Sequence, residues 1–297
     1  MKWTEITITT SYEASESVSN FLLELGANGV IIDDESSRRP INAALSPVTL
    51  VTHFPTDDLV GTKIAQINTF LKEIQALGLE IKPAQIEIKS INDEKWAESW
   101  KSAFPPQEIG RRFIISPGWN KITPAAGKII IWLDPGMAFG TGYHPTTQLV
   151  LSLLEEVISG GESVVDIGTG SGILAIAAVK LGANKVIATD IDQTVIPIAQ
   201  ENTRINGVEG KIAVVEGNAF ASLSGRYDVI VVNILAKVIL PIIPDCPKYL
   251  NANGLLILSG ILEEEMPKIE VAARLNGFHI IKTLTKENWV GVLLGLD

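Results

Sequence analysis

The feature that most constrains the fold is an alternation of apolar, strand-like runs with helix-like segments in the second half of the chain. Strands that alternate with helices are typical of a mostly parallel, doubly wound α/β sheet covered by helices on both faces. The strand-like runs lie at 163–168, 185–191, 212–218, 227–235, 254–261, 279–286 and 289–296. Helices are predicted at 171–181, 193–206 and 263–275, and once more after residue 235. The last two strands have no helix between them, which predicts one antiparallel edge strand.

The first third of the chain has a different order of elements. Strand patterns lie at 4–9, 29–33, 48–53 and 86–89, and helix patterns at 14–25 and 61–77. The order β-α-β-β-α-β predicts a ferredoxin-like α+β domain over residues 1–92. Residues 93–110 contain Trp96, Trp100 and two prolines, and we interpret them as a short helix and a linker, with the tryptophans packed between domains. The second domain is predicted over 111–297.

The net charge of −10 is concentrated in the first domain. Residues 1–100 hold 8 Lys and Arg against 15 Asp and Glu. An acidic surface repels phosphate backbones and attracts basic partners, although acidity by itself also favours solubility. We therefore expect no direct nucleic-acid binding and allow a basic protein as partner.

We expect neither a membrane span nor a secretory signal. The N-terminal residues alternate polar and apolar side chains, and the longest uncharged run, 135–154, begins with Pro and Gly rather than with a continuous apolar stretch. Cys246 is the one cysteine and can form no internal disulfide, so a reducing cytoplasm fits best. His53, His144 and His279 are widely spaced, and we predict no metal site.

The strongest chemical signal is the sequence D-I-G-T-G-S-G, residues 166–172, at a predicted turn from strand to helix. Gly168, Gly170 and Gly172 allow a tight turn and the close approach of a ligand. Their spacing is G-x-G-x-G, which differs from the G-x-G-x-x-G of dinucleotide-binding proteins. Asp166 favours a ligand with an ammonium or sulfonium charge over a phosphate. A purely structural turn remains an alternative.

Asp190 ends the next predicted strand, 22 residues after Gly168. A carboxylate at this position can accept hydrogen bonds from both hydroxyls of a ribose, which predicts a ligand with an unphosphorylated nucleoside end or an NAD-like ligand. Asp192 is the nearby competitor, and we expect it to cap the following helix.

Two asparagines end the following predicted strands. Asn218 lies where an adenine ring would meet the sheet, but it is equally well explained as a turn residue beside Gly217. Asn233 follows a run of apolar residues at the carboxyl end of its strand, where ligands bind in open α/β sheets. Its alternative role is that of a buried asparagine with its hydrogen bonds made.

The segment G-M-A-F-G-T-G-Y-H-P-T-T, residues 136–147, precedes a predicted helix. Three glycines, a histidine and three threonines favour a loop that closes over a ligand. Thr146 and Thr147 can instead cap the helix.

Asp166, the three glycines and Asp190 resemble the S-adenosylmethionine-binding core of class I methyltransferases, whose last strand is antiparallel. The loop at 136–147 and the sequence N-I-L-A at 233–236 are more specific. Together with E-K-W-A-E-S-W-K at 94–101 and the first domain, they make essentially the whole chain similar to the PrmA family. That family methylates protein eleven of the large ribosomal subunit.

The resemblance implies S-adenosylmethionine as cofactor and trimethylation of the N-terminal amine and lysine side chains of that basic ribosomal protein. It also implies that the first domain holds the substrate and that the linker lets the catalytic domain swing. Thr147, Gly168, Asp190 and Asn233 match the family's cofactor-binding positions. Two departures are Tyr143, where the family often has His or Thr, and Asn218, where many relatives have Asp. The predicted cofactor-binding residues are Thr147, Asp166, Gly168, Gly170, Gly172, Asp190, Asn218 and Asn233.

We assign the catalytic role to Asn233, whose side-chain or backbone carbonyl would hold a proton of the substrate amine. Three alternatives remain. An RNA or DNA methyltransferase is disfavoured because the acidic first domain lacks the aromatic RNA-binding run, and because N-I-L-A replaces the N-P-P-Y typical of enzymes with flat substrates. A protein that binds S-adenosylmethionine without turnover is the second. An NAD-dependent dehydrogenase is disfavoured by the glycine spacing.

Overall fold

The computed structural model describes residues 2–27, 29–33, 47–56, 59–76, 81–92, 105–120, 122–133 and 142–297. The chain divides into two compact units, Met1–Phe104 and Pro105–Asp297. None of the helices that the structure describes is long and apolar enough to cross a lipid bilayer.

The first unit contains four strands and two helices. They are β1 (Lys2–Ser11), α1 (Tyr12–Glu24), β2 (Val30–Asp33), β3 (Pro47–Pro55), α2 (Val60–Ala76) and β4 (Gln85–Asn92). The strands pair antiparallel in the order β2-β3-β1-β4, which is the ferredoxin-like arrangement predicted from the sequence. Alternate apolar residues of β1 and β3 are fully buried, and they pack with Leu22 of α1 and Ile67 of α2. The amphipathic spacing of both helices therefore builds a core on one face of the sheet.

The second unit begins with a small three-stranded sheet of β5 (Gln107–Ile109), β6 (Phe113–Ser116) and β7 (Ile129–Trp132). The Glu155 carboxylate accepts hydrogen bonds from the backbone N–H groups of Arg111 (2.8 Å) and Arg112 (2.7 Å). The Asn206 side chain bonds both the N–H (2.9 Å) and the carbonyl (2.6 Å) of Trp132. These polar contacts fasten the small sheet to the helices of the larger layer.

The larger layer follows the predicted alternation. Its elements are α3 (Pro145–Val157), β8 (Ser163–Ile167), α4 (Ile173–Leu181), β9 (Lys185–Asp190), α5 (Ile196–Ile205), β10 (Ile212–Glu216), β11 (Tyr227–Asn233), α6 (Ala236–Ile239), α7 (Cys246–Tyr249), β12 (Leu250–Leu262), α8 (Met266–Leu275), β13 (Phe278–Lys286) and β14 (Trp289–Leu296). Buried aliphatic side chains cover both faces of the sheet and form two separate clusters. The strands are apolar on both sides for this reason.

The seven strands lie in the order β10-β9-β8-β11-β12-β14-β13. The first five pair in parallel, and β14 pairs antiparallel with both β12 and β13. The mostly parallel sheet with an antiparallel last strand is therefore confirmed. The expectation of an antiparallel edge strand is wrong in one respect, because β14 lies between β12 and β13, and β13 forms the edge.

Two predicted segments differ from the structure or lie outside it. Residues 93–104, with Trp96 and Trp100, lie outside the described residues, so the predicted linker helix stays a prediction. Residues 107–109, predicted as the end of the linker, form strand β5 in the second unit. Three residues are too few to show the alternation that identifies a strand in a sequence.

The chain after β11 passes through a narrow space beside the end of β12. Gly260 has a backbone φ of +81°, and a Cβ atom there would lie 2.1 Å from the carbonyl oxygen of Ile234. Glycine is required at this position both by the backbone conformation and by the contact. Gly260 therefore fixes the position of the backbone that follows Asn233.

We expect Gly260→Ala to lower the free energy of unfolding by about 2–4 kcal/mol, because it combines backbone strain with overpacking. Gly225 has a φ of +86° and open space where a Cβ would stand, so it is a matched control. Gly225→Ala should cost only about 1 kcal/mol, the strain part alone. Urea unfolding of both variants gives the comparison, and equal losses would contradict the steric argument.

Candidate functional site

The predicted ligand edge lies where the chain changes direction across the sheet. From β8 the chain proceeds outward to β9 and β10, and it then returns to the other side of β8 as β11. The order of the strands therefore reverses at β8, and in open α/β sheets ligands bind at the carboxyl ends of the strands beside such a point. Ile167 pairs with Thr189 on one side and with Val232 on the other. The three residues that follow them, Asp190, Gly168 and Asn233, therefore lie at the same level across the sheet.

The glycine turn has the conformation that the sequence predicts. Gly168, Gly170 and Gly172 have φ values of 74°, 53° and 83°. A Cβ on Gly168 would lie 2.5 Å from Cγ2 of Ile234, so the aliphatic side chain of Ile234 stands against the turn. The Thr189 carbonyl accepts hydrogen bonds from the N–H groups of Gly168 (2.8 Å) and Thr169 (3.0 Å). The turn is thus held by the neighbouring strand as well as by its own glycines.

Asp190 connects β9 to the glycine turn. Its Oδ2 accepts a hydrogen bond from the Gly170 N–H at 2.9 Å, and its Oδ1 accepts one from the Asp192 N–H at 3.1 Å. Each carboxylate oxygen keeps a further lone pair, so the group can still accept hydrogen bonds from two hydroxyls. Since adjacent strands lie about 4.8 Å apart, Asp190 and Asn233 flank the turn at a separation of about 10 Å.

Asp166 lies fully buried beneath the turn. Burial raises its pKa to about 6, and the negative charge of Asp190 acts in the same direction, whereas the Thr169 hydroxyl (2.6 Å) and the Ala175 backbone N–H act in the opposite direction. The Oδ1 of Asp166 has no hydrogen-bond partner among the described residues. A buried carboxylate with an unpartnered oxygen is costly, and a cationic donor would relieve that cost.

The loop before α3 reaches the same edge. A Cβ on Gly142 would lie 3.2 Å from Cδ1 of Ile173, the first residue of the helix that follows the glycine turn. His144 caps α3 by accepting a hydrogen bond from the Thr146 N–H. Burial lowers the pKa of His144 to about 4, so its ring is neutral at physiological pH. Residues 134–141 of this loop lie outside the described residues.

Thr147 is fully buried in the first turn of α3, and its Oγ1 has no hydrogen-bond partner among the described residues. The alternative interpretation of Thr146 and Thr147 as helix caps is wrong, because His144 takes that position and the following Pro145 begins the helix. Proline is favoured in the first turn, where its missing N–H costs nothing. Thr147 is therefore free of a capping role.

Asn233 is 8% exposed at the end of β11, and its Oδ1 also lacks a hydrogen-bond partner among the described residues. The alternative of a buried asparagine with its hydrogen bonds made does not hold for this oxygen. Asn218, by contrast, is exposed beyond the end of β10, and its backbone carbonyl accepts a turn hydrogen bond from the Ala221 N–H at 3.0 Å. The backbone of Asn218 thus has the turn role, and its exposed side chain is accessible to a ligand.

Asp192 does not cap a helix as expected. Its Oδ1 accepts hydrogen bonds from the N–H (2.8 Å) and hydroxyl (2.7 Å) of Thr194, and α5 begins only at Ile196. These bonds lower the pKa of the exposed carboxyl. Asp192 thus stabilises the turn before the helix.

Sequence reasoning missed two contributors to the edge. Thr189 is fully buried with an unpartnered Oγ1, and its carbonyl holds the glycine turn. Gly260 shapes the path of the chain after Asn233. In the sequence, Thr189 is a β-branched residue of ordinary strand type, so only its place before Asp190 distinguishes it.

The unpartnered atoms define what the edge can bind. Within the described residues, four buried oxygens without a partner lie on the elements that meet at this edge: Thr147 Oγ1, Asp166 Oδ1, Thr189 Oγ1 and Asn233 Oδ1. All four can accept hydrogen bonds, so the edge suits a ligand rich in donors such as ammonium, hydroxyl and amine groups. No group of three or more potential metal ligands is found among the described residues.

Comparison with known proteins gives a consistent result over the whole chain. The sequence model of the family described as "Ribosomal protein L11 methyltransferase (PrmA)" matches residues 2–295. Ribosomal protein L11 methyltransferase of Halalkalibacterium halodurans is 36% identical over 307 residues, which cover 99% of this chain and 98% of the relative. The corresponding protein of Streptococcus mutans is 37% identical and covers 97% of this chain and 94% of its own length.

A solved structure supports the fold. The crystal structure of a ribosomal protein L11 methylase from Lactobacillus delbrueckii subsp. bulgaricus is 41% identical with a TM-score of 0.61. It covers 64% of this chain and 97% of the solved chain. The sequence match extends over both units. The edge with the unpartnered oxygens lies at the carboxyl ends of the strands, where ligands bind in open α/β sheets. The chain therefore belongs to the ribosomal protein L11 methyltransferase (PrmA) family.

Proposed function

We propose that this chain transfers methyl groups from S-adenosylmethionine to the N-terminal amine and lysine side chains of ribosomal protein L11. The observation that carries the proposal is the buried, unpartnered Oδ1 of Asn233, level with the glycine turn. S-adenosylmethionine is the cofactor of this family, and it supplies a methyl group activated by a sulfonium charge. Because ribosomal proteins are made in the cytoplasm, we propose that compartment for the enzyme as well.

The residues at the edge fit the donors of this cofactor. Asp166 Oδ1 suits its ammonium group, and the Asp190 carboxylate suits the two ribose hydroxyls. Gly168, Gly170 and Gly172 let the backbone approach it, and Thr147 lies at the N-terminal end of α3, where a carboxylate is favoured. Asn218 offers an amide at the rim for the adenine ring. We therefore assign a contact with the cofactor to each of these residues.

The substrate amine must arrive neutral, since a protonated amine has no lone pair. A free lysine has a pKa near about 10.4, and transfer to a low-dielectric pocket favours its neutral form. We assign to Asn233 Oδ1 the role of accepting a hydrogen bond from the amine, so that the lone pair faces the methyl group. Holding the two reactants in line contributes much of the rate enhancement through proximity. Solvent takes up the released proton.

The two units divide the work in this proposal. Residues 1–92 bind the substrate protein, residues 93–104 connect the two units, and the second unit, Pro105–Asp297, carries out the methyl transfer. The first unit has 15 acidic against 8 basic residues within positions 1–100, which suits a basic substrate.

The direct test is a labelled-methyl transfer assay with the purified chain, S-adenosylmethionine and total ribosomal proteins, with and without nuclease. We expect label in one small basic protein, on its N-terminal amine and lysines by mass spectrometry, whether or not nuclease is present. Loss of label with nuclease would instead favour an RNA substrate. Cofactor binding without any label would favour a protein that binds without turnover.

Asp166→Asn should stabilise the cofactor-free protein at pH 8 and weaken cofactor binding. The pKa of this carboxyl is about 6 in the folded protein and near 3.8 in the unfolded chain. The folded protein therefore has its full stability below pH 3.8, and ionisation of the buried carboxyl lowers that stability as the pH rises through about 6. Removing the charge should therefore raise the free energy of unfolding at pH 8 by about 2–3 kcal/mol, with no gain near pH 4. Denaturant unfolding at the two pH values measures this effect.

Asp192→Asn is the control for that experiment. Its carboxyl is exposed and has a lowered pKa, so the substitution should leave stability unchanged or slightly reduced at pH 8. An Asp166→Asn variant that is less stable than the parent at pH 8 would contradict the assignment. Calorimetry with S-adenosylmethionine should show weaker binding for Asp166→Asn alone.

Asn233→Ala should lower kcat about 100-fold, the size of effect seen when one preorganised hydrogen bond to the reacting group is removed. Asn218→Ala, at the exposed rim, should alter the Kd for the cofactor and leave kcat within about twofold. Steady-state assays with L11 and calorimetry with the cofactor separate the two effects. A fully active Asn233→Ala variant with intact cofactor affinity would refute the role of Asn233.

The KM for L11 should rise with ionic strength, because attraction between an acidic first unit and a basic substrate is screened by salt. The cofactor Kd, measured in the same buffers, serves as the internal control and should change far less. A substrate KM that is independent of salt between low and high ionic strength would exclude electrostatic recognition by the first unit.

A further inference from the structure

We propose that Leu235 and Val238 form an aliphatic wall that receives the methylene stem of a substrate lysine and so distinguishes lysine side chains from an N-terminal amine. The inference rests on the proposed function and adds a substrate-selecting element to the same site. Leu235 is 45% exposed and Val238 43%, and both lie on the turn that directly follows Asn233.

The backbone of this turn is fixed. The Ile234 side chain stands against Gly168, and the Ile234 carbonyl stands against Gly260. The Leu235 carbonyl then accepts hydrogen bonds from the N–H groups of Val238 (2.8 Å) and Ile239 (3.1 Å). Leu235 therefore begins α6 at a set position, two residues beyond the amide that we assign to the amine.

The orientation of the two side chains follows from the helix. Ala236 and Ile239 are buried and anchor α6 to the core, being 2% and 0% exposed. Leu235 and Val238 are three residues apart, so they are neighbours on the other side of the same turn. Single exposed aliphatic residues are ordinary in proteins. Two exposed aliphatic residues three positions apart, on the segment that follows Asn233, can present one apolar surface.

The charge of the turn does not attract the ammonium group of a lysine, so contact with the methylene stem is favoured. Residues 234–240 contain no carboxylate and one cation, Lys237. A protonated amine is thus not attracted to this turn, whereas an aliphatic chain gains by covering apolar surface. A lysine places four methylene groups between its backbone and the amine. An N-terminal amine has a peptide backbone in that position and gains nothing comparable from the wall.

The test compares two forms of ribosomal protein L11 as substrates for the full chain. One form has every lysine replaced by arginine and keeps its N-terminal amine, and the other has an acetylated N-terminus and keeps its lysines. We expect Leu235→Ser and Val238→Ser each to lower kcat/KM about tenfold on the lysine form and less than twofold on the N-terminal form. Leu235→Met, which keeps an aliphatic side chain, should restore most of the activity on lysine.

Leu275→Ser is the matched control, because Leu275 is a leucine 80% exposed at the end of α8. It should change neither rate, and thermal unfolding of all variants should show that they are folded. Equal losses on both substrates, or none on either, would overturn the proposed wall. If the unmodified enzyme methylated neither form while it still bound the cofactor, the proposed function itself would be refuted.

Discussion

The site depends on one steric constraint, which is the passage of residues 233–235 between two glycines. Gly168 leaves room for the Ile234 side chain, and Gly260 leaves room for the Ile234 carbonyl. Any side chain at either glycine would displace the segment that carries Asn233. The close packing of protein interiors makes such a displacement costly, so the end of β11 is held at one level with the ends of β8 and β9.

Much of the fold could be predicted because most elements have their own local signal. The apolar runs of β8, β9 and β11 are long enough to show that they are buried on both faces, and the amphipathic pattern of α5 marks the helix after β9. These patterns could not predict that β14 lies between β12 and β13, because the order in which strands pair depends on contacts between distant segments. Strand β5 was too short to identify.

The site shows the same division between local and distant information. Asp190 and Asn233 could be chosen because a polar residue at the carboxyl end of an apolar strand stands out in the sequence. The sequence could not show that Asp166, Thr147 and Thr189 each keep a buried oxygen without a partner, because that property depends on every neighbour in space. The capping role of His144 was missed for a different reason, since Ser, Thr, Asp and Asn are the residues usually expected at that position.

The hydrogen bonds from Gly168 and Thr169 to the Thr189 carbonyl have a consequence for ligand binding. They join the glycine turn to the neighbouring strand through backbone atoms. The hydrogen bond from the Gly170 N–H to the Asp190 carboxylate is a third connection between them. A turn held in this way already has its binding shape before any ligand arrives. Little conformational entropy then remains to be lost on association, and the free energy of each new contact goes into affinity instead of into ordering the chain.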